Sequence, residues 1–159
     1  MSEIERITRL CDALAAKHGT RNPFEIAAAE GIRVVSCPDF QKLEGMYKVI
    51  LGERYVFLKG SLSRRRARQV LAHELGHDLL HREMGEDSFV QEHFLVDMTL
   101  KPEYEANLFA AQLLIPDEDL RALLREGKSV EEAAAALQTP PELVELKTRI
   151  LAEQGSAPQ

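Results

Sequence analysis

The chain has 159 residues, 45% of them hydrophobic and 29% charged, with a formal charge of -6. That is the composition of one ordinary globular domain with room for a real core. The acidic balance argues against nucleic-acid binding over the whole surface. No apolar run is long enough to span a bilayer, and Met1-Ser2-Glu3-Ile4-Glu5-Arg6 lacks the basic-then-apolar order of a signal peptide, so a cytoplasmic protein is expected. Cys11 and Cys37 are too few for a disulfide framework and are expected as buried free thiols.

In chain order, Ile4, Ile7, Leu10, Cys11 and Leu14 recur at helical spacing over residues 3 to 17, and Gly19 supplies a stop. Asn22-Pro23 reads as the cap and first residue of a short helix ending at Gly31. Three strand-like runs follow, at 32–36, 45–51 and 54–58, and Gly52-Glu53 is expected to turn the hairpin between the last two. Ser61 or Ser63 then caps a long helix running to about Glu83 or Met84, with Gly85 as its stop. Residues 86 to 101 carry Phe89-Val90 and Phe94-Leu95-Val96 and suit a one-faced helix or a lid. Pro102 opens a helix that Pro116 closes, and Asp117 to Glu126 form another. Ser129 and Glu132 have capping-box spacing, and a helical pair closes the chain at 128–153, helix-turn-helix-like in outline. Its second helix carries Glu142, Glu145 and Glu153 against Lys147 and Arg149, which favours packing over reading DNA. One domain over 1–155 is expected, with a disordered tail at 156–159.

The long helix contains His73-Glu74-Leu75-Gly76-His77, an H-E-x-x-H pattern. Two histidines four residues apart share a helical face and can grip one metal ion, while the intervening Glu reaches a water on that ion as general base. Val70, Leu71, Ala72, Leu75, Leu79 and Leu80 surround the motif, so the helix is expected to be buried, where two histidines and an acid need a polar partner.

A catalytic site of this type needs a third protein ligand and an open position. The downstream candidates are His81, His93, Glu92, Asp97, Glu103 and Glu105. His81 is two turns from His73, and a helix rising about 6 Å per four residues cannot bring all three imidazoles to one ion. His81 and His93 are therefore expected to pack or face solvent. Glu103 has an ordinary reason to exist as an acid in the first helical turn. Glu105 lies deeper in an apolar helix, and spacing alone prefers it modestly.

Leu71-Ala72-His73-Glu74-Leu75-Gly76-His77 with Leu79-Leu80-His81, then Glu105-Ala106-Asn107-x-Phe109-Ala110-Ala111-x-Leu113-Leu114-x-Pro116, resembles the ImmA/IrrE metallopeptidases. The resemblance implies an α+β, zincin-like fold with a small three-stranded antiparallel sheet packed on a mainly helical body around the central metal helix. It assigns His73, His77 and Glu105 as zinc ligands and Glu74 as general base. It further implies cleavage of a helix-turn-helix repressor, often encoded on a phage or mobile element; charge and hydropathy leave neither nucleic acid nor membrane as an expected direct partner. Ile115 and Asp78 depart from the usual residues at their positions, and neither is an assigned ligand. At 159 residues there is no room for the additional C-terminal sensor-like domain of longer IrrE-type proteins.

Such a site would use zinc, or manganese in its place, to activate water, with Glu74 taking the proton and returning it to the departing amine. Tyr47, Tyr55, Tyr104 and His93 are candidates for stabilising the oxyanion. The competing reading is a non-catalytic, metal-stabilised interaction module acting on a transcriptional regulator. It would need a fourth protein ligand and has no use for Glu74.

Overall fold

The computed structural model describes residues 1–86 and 100–156. The proposed lid and the candidates Glu92, His93 and Asp97 lie outside the described residues.

Local chemistry accounts for most element ends. Ser2 accepts from the Glu5 amide to start α1 (Glu3–His18), and Gly19 ends it with φ of 67°. Asn22 caps α2 (Pro23–Ala29), and Pro23 fills the first helical position, where no amide is needed. Three strands follow: β1 (Arg33–Cys37), β2 (Gly45–Ile50) and β3 (Glu53–Lys59). The hairpin turns at Leu51-Gly52, one residue earlier than expected. Both residues have positive φ, 51° and 79°, which suits a two-residue turn matched to the twist of the strands.

The sheet has the order β1-β3-β2. β2 and β3 are antiparallel with Met46 opposite Phe57, whereas β1 runs parallel to β3 with Val35 opposite Phe57. The sheet is thus mixed, not wholly antiparallel. After β1 the chain crosses to the far edge, leaves a slot, and fills it with the returning arm of the hairpin; that arm must then run in the direction of β1.

The helical body is built on α3 (Arg64–Leu80) and α4 (Lys101–Leu114), which pack chiefly on each other. Ser63, not Ser61, caps α3 by accepting from the Arg66 amide. α3 is buried from Gln69 to Asp78, as its apolar surroundings predict. It stops at Leu80, short of the expected end, because His81 leaves helical geometry with φ of -137°; a 3-10 turn over Arg82–Glu86 takes over. α4 lies between α3, α1 and α7 and buries Leu108, Phe109, Ala110 and Ala111 completely. Gly76 makes the close approach of α3 and α4 possible, since a Cβ there would meet the Ala106 backbone at 3.0 Å.

The remaining helices are α5 (Asp117–Arg125), α6 (Val130–Leu137) and α7 (Pro141–Ser156). Ser129 and Glu132 form the expected capping box on α6. α7 packs on α4 and α6 through Leu143, Val144, Leu146 and Ile150, all buried. Lys147, on the same helix, is buried too and donates to Gln112 Oε1 at 2.8 Å and Asp117 Oδ1 at 2.5 Å, tying α7 to α4 and α5. Cys11 is a buried free thiol, as expected, but Cys37 at the end of β1 is only half-buried. Among the described residues, no helix is long and apolar enough to cross a membrane.

Candidate metal centre

His73 and His77 sit one turn apart on the face of α3 that meets α4, and both are fully buried. Their Nε2 atoms are 3.2 Å apart. Glu103, in the first turn of α4, completes a triangle: its Oε2 lies 2.9 Å from His73 Nε2 and its Oε1 lies 3.1 Å from His77 Nε2. Ligand atoms of these three residues all lie within 4.8 Å of one another. Two imidazole nitrogens and a carboxylate form the donor set of an open catalytic zinc site.

Glu105 is not brought to the histidine pair. Two residues along a helix turn a side chain by about 200°, so Glu103 and Glu105 leave α4 on different sides. Glu103 shares its face with Asn107, one turn on, and Asn107 Oδ1 lies 2.7 Å from His73 Nδ1. Glu105 instead lies 3.1 Å from His81 Nε2 and accepts from Arg6 of α1 at 2.9 Å. The expected third position is therefore taken by Glu103. Glu103 and Asn107, four residues apart, place two polar groups on the face of α4 that meets the histidines.

Glu74, next to His73 on α3, is buried to 1% exposure, and its Oε2 has no hydrogen-bond partner among the described residues. Burial pushes its carboxyl up to about 7; the adjacent His73 counters the shift and the charge of Glu103 adds to it. Gly45, at the start of β2, packs against it, since a Cβ there would lie 3.3 Å from Glu74 Oε1. Burial also drives the His77 imidazole down to about 4, although Glu103 opposes the shift, which favours the neutral form that binds metal. Burial would raise Glu103, but hydrogen bonds from His73 and His77 prevail and hold it near 2, as a carboxylate. A neutral imidazole, a committed carboxylate and an unpartnered buried acid beside them fit a divalent metal ion and a proton acceptor.

The sequence reading did not find the role of Asp78. This buried residue follows His77 and accepts from Tyr47 Oη at 2.6 Å, Arg54 Nη1 at 2.8 Å and Arg82 Nη2 at 3.3 Å. It fastens β2 and β3 to the metal helix. Tyr47, one oxyanion candidate, is committed to that contact. Tyr55 stacks on Phe57 with a centroid separation of 5.6 Å and lies under Arg33, on the strand face that alternates away from buried Val56 and Leu58. Tyr104 is half-buried at the edge of the core.

The model of the IrrE N-terminal-like domain family matches residues 27–149, which include every residue of the site. The chain belongs to this ImmA/IrrE-type metallopeptidase family. Immunity region protein 2 of Bacillus phage phi105, itself described as uncharacterized, is 31% identical over 134 residues, covering 84% of each chain. Metallopeptidase ImmA of Bacillus subtilis (strain 168) is 29% identical over 133 residues, covering 82% of this chain and 76% of that protein. Family membership and the His-His-Glu cluster together make this ImmA/IrrE-type chain a metallo-endopeptidase.

Proposed function

We propose that the chain is a site-specific zinc endopeptidase that cleaves a helix-turn-helix transcriptional repressor in the cytoplasm, with His73, His77 and Glu103 holding the ion and Glu74 acting as general base. The observation that carries the catalytic reading is Glu74: a buried carboxylate oxygen with no hydrogen-bond partner among the described residues, next to a three-donor cluster. A purely structural metal site has no use for such an acid.

Zinc supplies Lewis acidity, polarising the scissile carbonyl and lowering the pKa of water. Asn107 accepts from His73 Nδ1–H at 2.7 Å and so directs the Nε2 lone pair into the cluster. Glu103 spans both imidazoles with its two oxygens and brings the negative charge that offsets a dication. Glu74 takes the proton from the attacking water at its free oxygen and delivers it to the departing amine nitrogen. Burial disfavours the charged form of Glu74 and so favours uptake of that proton.

A regulatory protein substrate is supported by the two relatives, one named for a phage immunity region and the other for metallopeptidase activity. The test is incubation of zinc-loaded protein with the helix-turn-helix regulators of its own host or phage, with new N-termini mapped by mass spectrometry. Glu74→Gln should retain zinc and partner binding while cleavage falls by about 10²–10⁴-fold. Cleavage by Glu74→Gln at the wild-type rate would overturn the catalytic reading. Binding of a regulator without cleavage by either protein would favour the interaction module.

A further inference from the structure

His81 is buried yet stands outside the His73–His77–Glu103 triangle. Its Nδ1 lies 3.0 Å from His77 Nδ1, and its Nε2 lies 3.1 Å from Glu105 Oε1. Glu105 accepts from Arg6 Nη2 through its other oxygen at 2.9 Å, and Glu3 reaches the same carboxylate from the start of α1. Arg6, Glu105, His81 and His77 thus form a chain of contacts from the first helix to the cluster.

With His77 Nε2 reserved for the ion in place of its contact with Glu103, the hydrogen-bond inventory of this line has one solution with neutral imidazoles. An ionised carboxylate only accepts, so the nitrogen facing Glu105 must carry a proton: His81 donates from Nε2. Its Nδ1 then holds a lone pair and must accept. The donor available is His77 Nδ1–H, which leaves His77 Nε2 as a lone pair directed at the cluster. Asn107 imposes the same tautomer on His73 from the other side, by accepting from its Nδ1.

We propose that His81, held by Glu105 and Arg6, is a positioning residue that fixes His77 as its Nδ1–H tautomer and presents Nε2 for metal binding. This rests on the zinc reading above. It gives a reason for His81 to break the helix at the end of α3. With φ of -137° the residue leaves helical geometry, and its ring meets both His77 and Glu105. It also gives Glu105 a task distinct from that of Glu103. Metal-bound histidines commonly donate their second ring nitrogen to a carboxylate or carbonyl, and loss of such partners weakens metal binding by about 10–100-fold. Here a second histidine is interposed, and the carboxylate sits one step further out.

Two measurements test the assignment. In the zinc-loaded wild-type protein, ¹⁵N-detected histidine spectra should show His77 protonated at Nδ1, with slow exchange of that proton, and His81 protonated at Nε2. Zinc affinity, read by competition with a chromophoric chelator, should fall by about 10–100-fold in His81→Phe and in Glu105→Ala, with one zinc per chain still bound at saturation. Unchanged affinity in both folded variants would overturn the proposal, as would His81 protonated at Nδ1 in the wild type. Should neither variant fold, the wild-type spectrum decides alone. A wild-type chain that binds no zinc overturns the metal reading itself, a result distinct from zinc binding that is indifferent to His81.

Discussion

Gly76 is where helix packing and site geometry meet, and Gly76→Ala separates two opposing effects. In an unconstrained helix, alanine is favoured over glycine by about 1 kcal/mol. At this position the added methyl would lie 3.0 Å from Ala106 Cα, 3.1 Å from Ala106 O and 3.2 Å from Phe109 Cβ, where ordinary contact begins at 3.4 Å. The nearest atoms are backbone, so no rotamer relieves the clash and α4 must withdraw by about 0.4 Å. Overpacking of this kind costs about 1–3 kcal/mol. After the propensity gain, the metal-free protein should lose about 1 kcal/mol, or about 2–4 °C in Tm for a domain of this size. The effect on zinc should be larger. Glu103 lies three residues before Ala106 on α4, and ligand distances tolerate only about 0.2 Å of error. Zinc affinity should therefore fall by at least about tenfold. Urea unfolding of the metal-free variant and chelator competition read the two effects separately. A variant as stable as wild type, with wild-type zinc affinity, would refute backbone-to-backbone packing at Gly76.

Two further outcomes concern the scaffold. Arg66 donates twice to Glu44, both at 2.8 Å, and these bonds hold the Glu44 carboxyl below the usual glutamate range against partial burial. A lowered folded-state value stabilises the protein above the unfolded value, and the benefit disappears as pH falls through the folded one. Glu44→Gln should thus cost about 0.5–1 kcal/mol at pH 7, given its partial exposure, and nothing in acid well below the carboxylate range; a deficit independent of pH in chemical unfolding would contradict the ion pair. Asp117→Ala leaves the buried Lys147 ammonium of α7 with Gln112 but without its counter-charge and should cost about 2 kcal/mol, whereas Lys147→Met keeps the stem, drops the charge and should cost about 1 kcal/mol or less. The reverse order in urea denaturation would show that the ion pair does not govern this junction.

What could be read in the sequence was what local spacing determines. His73 and His77 share a helical face because of their four-residue interval, and Ser129 with Glu132 makes its capping box for the same reason. The choice between Glu103 and Glu105 was harder. Both acids lie near the start of one helix, and the answer depends on which side of α4 faces α3; Asn107 marks that side only once its bond to His73 is known. Asp78 was opaque because its partners Tyr47 and Arg54 lie 31 and 24 residues upstream, on strands whose docking no local pattern specifies. The parallel pairing of β1 was hidden likewise, since a short connection between strands suggests antiparallel neighbours and here it skips one. His81 was expected to pack or face solvent, by the argument that three histidines on one helix cannot share an ion. That geometry permitted a different task, contact with His77 through the ring nitrogen facing away from the cluster.

The most direct test of the metal centre is zinc content after dialysis for the wild type, Glu103→Ala and Glu105→Ala, each confirmed folded. The structure predicts one zinc per wild-type chain, little or none in Glu103→Ala, and a single, more weakly held zinc in Glu105→Ala. One zinc per chain retained by Glu103→Ala at wild-type affinity would contradict the His73–His77–Glu103 site.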